Sequence, residues 1–177
     1  MLVALTAGAC LASACGKSSP DEKTGPFLEA RWSGADSGKI SGPATAEWCD
    51  SLRLLEVRAV QGDTGIGLAL YPKKEFVAER YPVAPPAKAD TSPPAAAVAL
   101  RWFAETSIRG FQGDSGSVVV QESSRGVYSG VIEAHAHSVT DGNHVTITGS
   151  FSHLSPRPAT RGCAARTASR DASAGVH

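Results

Sequence analysis

The chain has 177 residues, of which 42% are hydrophobic, with 17 basic and 17 acidic side chains and a formal net charge of zero. That length suits a single domain with one core. The even charge balance excludes the broad basic field of a nucleic-acid binder, and the thin run Arg157, Arg161, Arg166 and Arg170 lies among Ala, Ser and Thr as in a solvated tail.

Residues 1–14 are almost wholly apolar or small and carry no charged side chain, then break into the polar GKSSPDEKTGP. Such a stretch is too short to cross a bilayer as a helix and fits the apolar region of a signal peptide. LASAC at 11–15 resembles the lipobox of bacterial lipoproteins, with Ser13 and Ala14 before Cys15, although Leu11 stands four places ahead of the cysteine instead of three. The resemblance implies cleavage before Cys15, lipidation of Cys15, and anchoring in the bacterial cell envelope. Gly16 beside it resembles lipoproteins passed on to the outer membrane, facing the periplasm. CGKSS is not a phosphate-binding loop, because Leu11 occupies the place where that motif needs glycine.

Loss of Cys10 and lipidation of Cys15 leave Cys49 and Cys163 in a compartment that permits disulfides. A bond between them is expected, closing a loop whose entropy is worth about 4–5 kcal/mol. The alternative is two unpaired buried thiols.

Residues 15–26 form the tether, and a β-rich domain is expected over 27–155. FLEARW is a short strand followed by the turn SGADSG. KISGPATAEWCD places Ile40, Ala44, Ala46 and Trp48 on one parity, and RLLEVRAV does the same for Leu55, Val57 and Ala59. GIGLALY is the next strand. A Pro-rich loop spans 72–94 with six prolines. AAAVALRWF favours helix by its alanines, yet Val98, Leu100 and Trp102 alternate, which points to a strand. SVVVQE, GVYSGVIEAHAHSV and HVTITGSF follow, joined by SSRG and TDGN. This pattern predicts an all-β fold, an antiparallel β-sandwich or a small meander barrel, with 156–177 as a flexible C-terminal segment. From LASAC to GSF the layout resembles small bacterial envelope lipoproteins with a lipobox, a short tether and one β-rich domain.

QGDSG at 112–116 resembles the surroundings of the reactive serine in trypsin-like proteases. Phe111 replaces the usual cysteine, however, and Ser117-Val118 replaces Gly-Pro. In those proteases the general base precedes the serine, whereas His135, His137, His144, His153 and His177 all follow Ser115. A serine hydroxyl without a base is a poor nucleophile. The same pattern, QGDTG, recurs at 61–65 before another apolar strand. Both copies are expected to be tight turns feeding strands, with glycine supplying positive φ.

Glu133, His135 and His137 alternate and share one face of a strand. A two-residue turn at Asp141-Gly142 would pair His137 with Thr146 and His135 with Thr148, and leave His144 diagonal to His137. Ile132, Ala134, Ala136, Val145, Ile147 and Phe151 would form the apolar face, so the histidines are expected to face water. His135, His137 and His144 are the candidate metal ligands, and Glu133 with a histidine is a candidate acid–base pair.

No catalytic residue and no cofactor follow from these motifs. The expected role is a membrane-anchored, non-catalytic structural or interaction module of the envelope, with the lipid anchor in the membrane and an envelope protein or glycan as partner. One alternative is a periplasmic binder of a small molecule, glycan or metal, with Trp32, Trp48 or Trp102 as aromatic contacts. The other is a hydrolase using a histidine of the 133–144 region.

Overall fold

The computed structural model describes residues 25–104 and 106–159. The signal peptide expected over 1–14, the lipid site Cys15, most of the tether, and Cys163 lie outside the described residues.

Among the described residues, ten strands and one short helix follow in chain order: β1 (Phe27–Gly34), β2 (Gly38–Cys49), β3 (Leu54–Gln61), β4 (Thr64–Tyr71), β5 (Arg80–Pro82), α1 (Pro86–Ala89), β6 (Ala95–Ala104), β7 (Ser107–Ser124), β8 (Val127–Ser138), β9 (His144–Leu154) and β10 (Arg157–Pro158). Eight of the strands run in the order β1-β9-β8-β7-β6-β4-β3-β2, and β1 pairs with β2 as well as β9. The sheet therefore closes into an eight-stranded antiparallel barrel with up-and-down connections, and closure removes the exposed edges of an open sheet. Of the two architectures expected from sequence, the barrel is the one formed.

The period-2 pattern sets which side chains fill it. Leu28, Ile40, Leu55, Val57, Leu68, Leu70, Val98, Leu100, Ile132, Ile147 and Phe151 are buried from all parts of the wall. Each such aliphatic or aromatic side chain contributes about 1.5–3 kcal/mol on burial. Small residues opposite them, Ala30, Ala44, Ala59, Ala134 and Ala136, keep the lumen packed, as an eight-stranded barrel allows. The lumen is apolar and the outer wall is mainly polar, with Val60, Phe103, Ile108, Val131 and Val139 as exposed exceptions, whereas a porin-type barrel has a polar interior.

One end carries the β1–β2, β3–β4, β6–β7 and β8–β9 turns. It is closed by a stack in which the Trp102 ring lies 5.3 Å from Trp32 on one side and 5.3 Å from Phe111 on the other. Gly38 lies opposite Trp32, and a Cβ there would collide with the indole. The other end, the mouth, gathers the turn after β2, the segment after β4, the β7–β8 hairpin and the residues after β9.

Two strands lie off the closed path. β5 pairs with β7, and Val83 bridges to Ala96, so the Pro-rich segment 72–94 is partly ordered into the wall. Tyr81 is fully buried, and its hydroxyl donates to the Val77 carbonyl at 2.8 Å. β10 pairs in parallel with β2 through Arg157 and Pro158, within the segment expected to be a free tail. Outside the barrel, α1 contributes Ala89 to a second cluster with Cys49, Leu54, Ala69, Tyr71, Ala95 and Ala97.

Cys49 is buried in that cluster at the end of β2, its sulfur 3.5 Å from Ser51 Oγ, and it is not without a partner. It is the only cysteine among the described residues, so no disulfide joins two of them. Cys49 is disulfide-bonded, and its expected partner Cys163 lies outside the described residues; barrel closure separately brings the first and last long strands together through β1–β9 pairing.

Candidate functional site

The two QGD[ST]G copies have different structures. In the first, Gly62 (φ 56°) and Asp63 make the β3–β4 hairpin turn, as expected. The second lies within β7 as a bulge. Gly113 pairs with Ala136 and Ser115 with His135, leaving Asp114 extra. Gly116 at φ 116° returns the strand to register.

The bulge brings the GDSG segment to the histidines. Asp114 Oδ2 lies 3.2 Å from His137 Nδ1, and Ser115 sits across from His135. Chain order gave no hint of this, because β7 and β8 are antiparallel and the later histidines fold back onto the earlier serine. His135 Nδ1 is 3.2 Å from Thr146 Oγ1 instead, and among the described residues no hydrogen bond joins Ser115 to a histidine. The pair stands on the outer wall, with both side chains about one-third exposed. An aspartate holding an imidazole is only part of a nucleophilic site. A polarised hydroxyl and converging donors for an oxyanion are also required.

The β8–β9 turn is longer than the two residues expected, with Ser138 N donating to Asn143 O. The register moves by two: His137 faces His144, His135 faces Thr146 and Glu133 faces Thr148. Ser138 Oγ accepts from the Thr140 and Asp141 amides and so stabilises this wider turn. His135, His137 and His144 share the outward face, but among the described residues no group of three or more His, Cys, Asp or Glu is placed to hold a metal ion. Two of the three imidazoles already have a ring nitrogen directed at Thr146 or Asp114.

The aromatic candidates separate. Trp32 and Trp102 belong to the closed end. Trp48 lies at the mouth, on the wall of a cavity of about 540 Å³ lined also by Asp50, Arg53, Lys74, Glu75, Phe76, Gly126, Tyr128 and Pro156. Four connections contribute to this lining. Trp48 and Asp50 come from the end of β2, with Trp48 Nε1 directed at Asp50 Oδ1 at 3.4 Å. Arg53 has a left-handed backbone (φ 47°) in the tight β2–β3 turn and donates its amide to the Asp50 carbonyl. A non-glycine residue there carries strain of about 1 kcal/mol or more. Lys74, Glu75 and Phe76 follow β4. The Phe76 ring rests on Tyr81, 6.0 Å away, and meets Tyr128 edge-on at 4.8 Å. Burial raises the Tyr128 hydroxyl above its ordinary pKa, and the Glu122 carboxylate adds to that.

Of this lining, sequence reasoning found only Trp48. The signal for the rest was YPKKEF, an aromatic residue among charges in a connecting loop, where binding residues are often carried. Other cavities among the described residues lack aromatic side chains, including one of about 330 Å³ beside Glu56, Arg58 and Arg101. One of about 440 Å³ lies at the β2–β9 seam beside Glu47, His153 and Arg157, and one of about 410 Å³ lies on the outer face of β1 beside Arg31 and Lys39.

The fold and site define a closed β-barrel with a mainly polar exterior, a filled lumen and an aromatic-lined mouth. Comparison with protein-family models, curated proteins and solved structures returns no match.

Proposed function

We propose that the barrel is a non-catalytic module that binds a small molecule at its mouth. The observation that carries this reading is the cavity of about 540 Å³ where Trp48, Phe76 and Tyr128 meet Asp50, Arg53 and Lys74. Its size is within the range of small-ligand sites, and such sites combine apolar walls with a few convergent polar groups. This replaces the envelope structural module as the leading reading, and it takes one part of the binding alternative without metal. LASAC supports placing the module in the bacterial envelope on a lipid at Cys15, with the membrane as its attachment.

Two-dimensional NMR of the full chain against a library of small water-soluble fragments tests the binding reading. Shift changes should cluster at the Trp48 indole and around Phe76 and Tyr128, and W48A should abolish them. If no fragment perturbs the mouth, or if binders gather elsewhere, the reading fails.

A further inference from the structure

We infer that the ligand taken at the mouth is a neutral saccharide; this rests on the binding reading above and names its ligand class. Three features of the site converge on it. The first is depth. The lumen beneath is occupied by Leu55, Leu70, Phe151 and Leu154, each no more than 3% exposed, so no apolar tunnel accepts an acyl chain. A ligand must lie across the rim in contact with water, which suits a hydroxylated molecule.

The second feature is charge. Asp50 and Glu75 are matched by Arg53 and Lys74, so the rim has no net field to select a phosphate or other strong anion, or a cation. Carboxylates accept, and guanidinium and ammonium groups donate, in geometries that pair with neighbouring hydroxyls on a ring. A mixed rim satisfies both the donor and the acceptor side of each hydroxyl, which a rim of one sign cannot do.

The third feature is the aromatic set. Trp48, Phe76 and Tyr128 come from three separate connections and converge on one cavity. The negative face of an aromatic ring attracts the slightly positive C–H groups of a sugar's apolar face. Phe76 is held by Tyr81 and Tyr128, and Tyr81 is anchored to the Val77 carbonyl, so the platform is organised before a ligand arrives. Arg53 is likewise held in a strained turn at the same rim.

The test titrates the full chain with N-acetylglucosamine, its β-1,4-linked dimer, galactose and maltose, with inorganic phosphate and decanoate as competitors of other chemistry. The readout is the NMR signals of Trp48, Phe76 and Tyr128. At least one saccharide should bind at the mouth with an affinity between about millimolar and micromolar. E75Q and D50N should each weaken it about tenfold, as expected for loss of a charge-assisted hydrogen bond, with the thermal midpoint unchanged. W48F checks the platform without emptying the site. Fragment binding at the mouth without any response to saccharides would overturn the saccharide class and leave the binding reading intact. Stronger binding of phosphate or decanoate there would also overturn it. No response to fragments or saccharides would remove both readings.

Discussion

His137 Nδ1 lies 3.2 Å from Asp114 Oδ2, a contact made across β7 and β8 between residues 23 apart in sequence. It exists because Asp114 is the extra residue of a bulge, free of the ladder and turned toward the neighbouring strand. The contact pins the bulge on the outer wall. Both side chains are about one-third exposed, so solvent screening keeps its contribution small.

A double-mutant cycle of D114A and H137A, followed by urea unfolding, should therefore give a coupling of about 0.5–1 kcal/mol. A coupling of several kcal/mol would point to a buried network that the geometry does not contain. Zero coupling would make the contact incidental to the bulge.

Gly116 should matter far more to the fold than Ser115. At φ 116° a side chain is strained, and a Cβ would strike the Glu133 carbonyl oxygen and approach Ala134 Cα to 2.8 Å. G116A should cost about 3 kcal/mol or more, combining strain with a backbone clash. Gly62 separates the two effects, since it has φ 56° with open space around it, and G62A should cost about 1 kcal/mol. S115A, at an exposed position, should stay within about 0.5 kcal/mol. Thermal unfolding of the three variants checks the order. S115A as the most damaging of them would defeat this account.

Much of the barrel was legible because its residues obey a simple alternation. Leu55, Val57 and Ala59 face inward and polar neighbours face outward, so β3 could be placed from sequence alone. AAAVALRWF was ambiguous for a physical reason: Ala96, Val98 and Leu100 fill the lumen, while Ala95 and Ala97 are buried on the outside beneath α1. A strand covered on both faces loses its period-2 signal. The second QGDSG was misread as a turn because glycine serves a bulge as well as a hairpin. The β8–β9 register slipped because Ser138, the residue that caps the longer turn, looked like an ordinary strand residue. The mouth was the least legible part, since its residues come from connections far apart in sequence and only the fold joins them.

The ring stack at the closed end should be a major source of stability. Trp102 is its central member, nearly parallel to Phe111 at 7° and inclined 25° to Trp32. W102A would leave a cavity between two large rings and should cost about 3 kcal/mol. Phe103, next along β6 but 59% exposed, points the other way, and F103A should cost about 0.5 kcal/mol or less. Equal losses for the two variants in denaturant titrations would show that the stack contributes nothing beyond strand propensity.

Tyr81 should impose an alkaline limit on stability. Burial pushes its hydroxyl up from 10.0 to about 12, reinforced by the Glu79 carboxylate. In the unfolded chain the phenol ionises near its ordinary value, while the folded protein holds the proton for about two further pH units. Between those two values the unfolded state binds fewer protons, so stability must fall as pH rises. The contribution is whole below about pH 10 and is lost on the way to 12, at a rate of about 1 kcal/mol per pH unit. Tyr128 shifts in the same direction but is more exposed and adds less. Y81F removes the ionisable group and the bond to Val77 together. It should be less stable than the parent by about 1 kcal/mol at neutral pH, yet lose less stability between pH 10 and 12, so that the two curves converge. Chemical denaturation at a series of pH values would show this, and parallel curves through that window would exclude Tyr81 as the source of the alkaline loss.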